Sequence, residues 1–162
     1  MKRIAHVRIT SLVLIGALCL VALPGHADGP FHYYTVTPCR LVDTRGPNGP
    51  SGGPILVSPT ATDRAFPVQG HCGVPIGAKA VSVNLVAVLP TGPGYFTLYP
   101  SGIARPFVAS LNYDGGEFAV PNGAIVPLGA YATYPEADLT LFVYVGPTGT
   151  AHMVLDVTGY FQ

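Results

Sequence analysis

A chain of 162 residues, 49% hydrophobic, 10% charged and formally neutral overall, has room for one domain core. Residues 1–27 hold Lys2, Arg3 and Arg8 and no acid, so the rest of the chain keeps five basic and eight acidic residues. That balance excludes nucleic acid and anionic membrane as partners, because both require a basic footprint.

Residues 1–27 start basic, run apolar from Ile9 to Leu23 and end Pro24-Gly25-His26-Ala27. This order predicts a secretory signal peptide cut between Ala27 and Asp28, leaving residues 28–162 as a single exported domain. The alternative is an uncleaved anchor, but a spanning helix needs about 20 apolar residues, more than this run provides. Cys19 follows Leu18 inside the apolar core, the wrong place for lipidation. The expected destination is the outside of the cell or its surface.

Two cysteines remain beyond residue 27, Cys39 and Cys72. An even pair in an exported chain predicts one disulfide, with two buried thiols as the alternative. The loop it closes gives about 3.5–4 kcal/mol of stabilisation in the chain-entropy treatment.

The chain beyond residue 27 is rich in glycine and proline, which cut it into short pieces. Abundant β-formers and sparse charge argue against disorder, and the brevity of the pieces argues against helix. In chain order the strands expected are 31–37, 55–58, 65–68, 79–89, 95–99, 107–113, 117–120, 124–128, 139–145 and 151–158. In KAVSVNLVAVL, Val81, Val83, Leu85 and Ala87 share one face. In LTLFVYV both faces are apolar, with Phe142 and Tyr144 opposite Leu141 and Val143, which suits a strand central to a sheet or one covered on both faces. Between strands, Thr91-Gly92-Pro93-Gly94, Asp114-Gly115-Gly116 and Gly146-Pro147-Thr148-Gly149 carry the turn chemistry of hairpins. About ten short strands with regular turns predict an all-β domain, a β-sandwich of jelly-roll type.

The stretch Pro38–Arg45, PCRLVDTR, and the close Asp156–Phe161, DVTGYF, resemble the two end motifs of an uncharacterised secreted bacterial β-domain family. Cys72-Gly73-Val74-Pro75, Pro90-Thr91-Gly92, Leu98-Tyr99-Pro100 and Ser110-Leu111-Asn112-Tyr113 follow in the same order, so the resemblance spans most of residues 28–162. It departs at Val120-Pro121-Asn122-Gly123, where the family commonly carries Ala-Asn. The resemblance implies an exported β-domain used on or outside the cell and supplies no catalytic residues.

Gly49-Pro50-Ser51-Gly52-Gly53 matches the nucleophile-elbow pattern, but that serine needs a strand before it and a helix after it. Ser51 lies in a Pro/Gly loop, so the match is read as chance. His152 and Asp156 share a strand face about 13 Å apart and cannot touch as a base–orienter pair. If the first and last strands pair, Arg40, Asp43, Arg45 and Asp156 meet as a structural polar network, since arginine binds carboxylates bidentately. His32, His71 and His152 lack ligand spacing, so no metal is expected. Asp114 and Glu117 are read as a turn in preference to a calcium loop. No cofactor and no catalytic residue is expected. Nine tyrosines and no tryptophan offer a ligand face at Tyr95, Tyr99, Tyr113 and His152. The function expected is a non-catalytic extracellular interaction or structural domain, with self-assembly or another cell-surface protein as partner. A carbohydrate-binding module holding polysaccharide on a tyrosine face is the alternative.

Overall fold

The computed structural model describes residues 29–57 and 63–162; the expected signal peptide lies outside the described residues. Nine strands form two antiparallel sheets: β1 (Tyr33–Asp43), β2 (Leu56–Val57), β3 (Arg64–Phe66), β4 (Ala80–Val88), β5 (Gly94–Pro100), β6 (Leu111–Tyr113), β7 (Ala119–Pro127), β8 (Leu139–Val145) and β9 (Thr150–Phe161). The first sheet runs β1-β9-β4-β7 with β2 also on β9, and the second runs β3-β8-β5-β6. Strand pairs β1·β9, β3·β8, β4·β7 and β5·β6 nest inside one another. An antiparallel ribbon rolled in this way into two sheets is a jelly roll.

Alternation explains the core. Val81, Val83, Leu85 and Ala87 of β4 and Ala151, Met153, Leu155 and Val157 of β9 face inward. They meet Phe66, Phe96, Leu98, Leu139, Leu141, Val143 and Val145 of the second sheet. β8 is central in that sheet, and its outward Thr140 and Phe142 are buried as well. Cys39 of β1 is joined to Cys72 in the connection from β3 to β4, so the disulfide ties an edge strand to a loop between the sheets.

Three sequence expectations change. Residues 117–120 and 124–128 are one strand, β7, running through Pro121. Leu89 N–H donates to Phe118 O and Leu128 N–H to Lys79 O, so in this register the even-numbered residues of β7 bond β4. Pro121 and Pro127 fall on the odd positions, whose backbone faces the open edge, and their missing N–H breaks no bond. Residues 107–110 are not strand: Pro106 and an exposed path over the sheet leave only Leu111–Tyr113 paired to β5. The three glycine turns are not hairpins. Residues 89–93 lead from β4 to β5, 114–118 from β6 to β7 and 146–149 from β8 to β9, each crossing between sheets. They pack together at one end, where Gly116 N–H donates to Pro90 O (2.8 Å) and Gly146 N–H to Pro93 O (2.9 Å).

Candidate functional site

The two end motifs meet because β1 lies antiparallel to β9, with Arg40 opposite Asp156. Arg40 Nε donates to Asp156 Oδ1 at 2.8 Å and Nη2 to Oδ2 at 3.1 Å, a two-pronged grip. Arg40 Nη1 also reaches Asp43 Oδ2 at 3.3 Å. Arg45 takes the same carboxylate from the other side, Nε to Oδ1 at 2.8 Å and Nη2 to Oδ2 at 2.6 Å. The Arg45 side-chain bonds hold the Asp43 carboxyl well below the usual carboxylate range, against the opposing cost of desolvation. The Asp156 bond raises Arg40. Both arginine side chains are nearly half exposed, so the cluster is a surface clasp whose charges are already matched. A matched clasp bridges β1 and β9 beside the bulges of β1 and leaves little charge for a ligand.

His152 stands on the outward face of β9, away from the tyrosines. Its Nδ1–H donates to Thr44 O at 3.1 Å, and Thr44 Oγ1 accepts the Met153 N–H at 2.8 Å. Thr44 is buried and carries the turn of PCRLVDTR back onto β9.

The four residues expected as one ligand face are separated. Tyr113 is opposite Gly94 in the register and points inward. Its ring meets Phe96 edge-on at 5.0 Å, its hydroxyl donates to Tyr144 O at 3.1 Å, and burial pushes that hydroxyl far up. Tyr99 points outward but is 5% exposed, and burial, followed by a hydrogen bond to Asp63, raises its hydroxyl to about 12. His152 belongs to the other sheet. Only Tyr95 remains in an accessible position.

Tyr95 instead joins side chains from β8. It lies opposite Tyr144, with rings stacked at 5.3 Å and 24°, and its ring is 5.9 Å from that of Phe142. The Arg105 guanidinium sits 3.5 Å from the Phe142 centroid, a cation–π contact that keeps it over the ring. The connection from β5 to β6 runs across this floor. Thr97 Oγ1 donates to Val108 O (2.6 Å), Leu98 N–H to Ser110 Oγ (2.9 Å) and Asn122 Nδ2 to Ser110 O (2.6 Å). Between floor and loop is an open cleft of about 280 Å³ lined by Tyr95, Arg105, Pro106, Phe107 and Asn112 among others. Phe107 is 100% exposed, with Val108 and Ile103 more than half exposed beside it.

Arg105 and Phe107 were not singled out from sequence, where residues 107–113 read as one strand. The available signal was Arg105-Pro106-Phe107, a cation and an aromatic flanking a residue that stops a strand. Asp138 was also missed. It is fully buried, and its carboxylate accepts the Val68 N–H (2.7 Å) and the Gln69 N–H (2.9 Å). Gln69 in turn donates to Gly129 O and accepts from Gly77 N–H, so the pair closes the end of the sandwich opposite the glycine turns. Among the described residues no group of three or more His, Cys, Asp or Glu side chains is placed to hold a metal. Glu117 Oε2 accepts the Asp114 N–H (2.8 Å), closing their turn.

No family model matches the chain, and no curated protein matches it. Two solved structures of the tobacco streak virus coat protein are similar to it. One is 12% identical and covers 85% of this chain and 89% of its own, with a TM-score of 0.35. The other, a dimer, is 13% identical over 82% and 90%, with a TM-score of 0.34. The jelly-roll assignment rests on the strand pairing described above.

Proposed function

We propose that this chain is a non-catalytic exported binding domain, released outside the cell after loss of residues 1–27, that grips a cell-surface or matrix component with the outer face of its second sheet. One observation carries the reading. The loop 101–110 holds a fully exposed phenylalanine above an aromatic floor, and hydrogen bonds from Thr97, Leu98 and Asn122 fix that loop in place. Exposing Phe107, Val108 and Ile103 together costs solvation unless a partner covers them. Fixing them beforehand lowers the entropy lost on binding.

Self-assembly is the second reading, and the same apolar loop favours it. Assembly by strand addition is opposed: Pro121 and Pro127 interrupt the open edge of β7, Pro38 and two bulges interrupt β1, and the second sheet ends in the three-residue strands β3 and β6. A self-associated form therefore uses faces and not edges.

The test is co-sedimentation of the purified chain with isolated envelope material, alongside Phe107→Ser. Phe107 packs on no core, so the variant keeps its thermal midpoint within about 2 °C and loses about tenfold in binding. Unchanged binding by Phe107→Ser contradicts the assigned face. A concentration-dependent rise in sedimentation coefficient, abolished by the same substitution, favours the second reading.

A further inference from the structure

We infer that the cleft between β5 and the loop 101–110 is a subsite for one acidic sugar ring, a uronate carried in a polysaccharide. This rests on the assignment of that face as the binding surface and names what it binds.

Three features of the cleft specify three parts of such a ligand. The first is the Tyr95 ring, which lines the cleft and is braced from outside it by the stacked Tyr144, with Phe142 adjoining. A flat phenol ring accepts the C–H face of a pyranose, and its hydroxyl edge remains for the sugar hydroxyls. Tyr144 already holds the Tyr95 ring in place, so that ring need not be ordered on binding.

The second is Arg105. Of the five basic residues beyond residue 27, Arg40 and Arg45 are matched by Asp43 and Asp156. Arg64 is turned onto the loop carbonyls of Gly49 and Gly52. Lys79 lies beside Gln69 and Gly129 at the Asp138 end of the sandwich and does not line the cleft. Arg105 is exposed, makes no ion pair or hydrogen bond among the described residues, and is fixed over Phe142. An arginine fork with free donors fits a carboxylate in two-pronged fashion. The third is Asn112, exposed opposite Tyr95, whose amide both donates and accepts, as sugar hydroxyls require.

Size and charge density narrow the class. A cleft of about 280 Å³ is at the small end of ligand sites, enough for a single ring with its chain continuing into solvent. One free arginine among residues 28–162, which carry five basic and eight acidic side chains, suits a polymer with one carboxylate per sugar. A phosphodiester chain calls for a basic track.

The experiment uses trigalacturonate and its fully methyl-esterified form, which share rings and linkages and differ in that each carboxylate is replaced by an uncharged methyl ester. Isothermal titration of the purified chain should show binding of trigalacturonate and at least about tenfold weaker binding of the ester. Arg105→Gln should lose about tenfold for the acid and little for the ester; Tyr95→Ala should weaken both. Circular dichroism and thermal midpoints of both variants check folding, and Asn112→Ala, at an exposed position, is a further variant that leaves the fold intact. Equal affinity for acid and ester, or full affinity in Arg105→Gln, overturns the acidic subsite. Absence of binding to either sugar also overturns it; the binding face itself survives that outcome if Phe107→Ser still abolishes co-sedimentation.

Discussion

Asp138 is the residue on which the closed end of the sandwich depends. Its carboxylate is buried and has the Val68 and Gln69 N–H groups as partners. Asparagine in its place keeps the shape but turns an N–H₂ toward one of those donors. Asp138→Asn should therefore cost about 2–3 kcal/mol in denaturant unfolding; a change under about 0.5 kcal/mol would mean the donors find other acceptors. Asp156→Asn should cost less, about 1 kcal/mol, because Arg40 is half in water. Asp43 adds a pH effect. Its folded-state carboxyl stays ionised to lower pH than in the unfolded chain, so the unfolded state takes up protons first as pH falls. The stabilisation is complete above the ordinary aspartate value of about 3.9 and is lost on acidification below it. Stability measured from pH 5 to pH 2 should fall less steeply in Asp43→Asn than in the parent.

At the scale of elements, the inward and outward faces of β4, β8 and β9 were legible, since a period of two is a local signal. Partner choice was not, because it is fixed by contacts distant in sequence. Asp114-Gly115-Gly116 reads as a hairpin turn, yet its flanking strands pair with β5 and β4 on different sheets. The tyrosine face failed for the same reason: Tyr113 turns inward because β6 registers it opposite Gly94, where a Cβ would lie 2.6 Å from the Tyr113 hydroxyl. Gly94→Ala should thus lower stability, and tyrosine absorbance at high pH should show the Tyr113 hydroxyl ionising earlier than in the parent. The prolines of β7 give an independent check. Replacing Pro121 and Pro127 together by threonine restores donors along the open edge, so light scattering should show association beyond that of the parent. A double variant that scatters no more than the parent would show that the edge is guarded by something else.

For the whole molecule, a rolled ribbon stapled once provides a rigid platform. Cys39→Ser with Cys72→Ser should remove about 3.5–4 kcal/mol of stability while leaving the β-sheet circular dichroism spectrum in place. The platform's closed ends are sealed by Asp138 and by the glycine turns, and its ion pairs are matched on the first sheet. On the second sheet's outer face the loop 101–110 exposes Phe107 beside Arg105. Apart from Ser110, whose N–H donates to Phe96 O, residues 102–110 have no backbone N–H partner among the described residues, so their amides exchange quickly in the free chain. Hydrogen exchange of the chain with and without envelope polysaccharide tests the binding face most directly. The result expected is slowed exchange concentrated in residues 102–112; slowing along 33–45 or 119–127, with 102–112 unchanged, would contradict it.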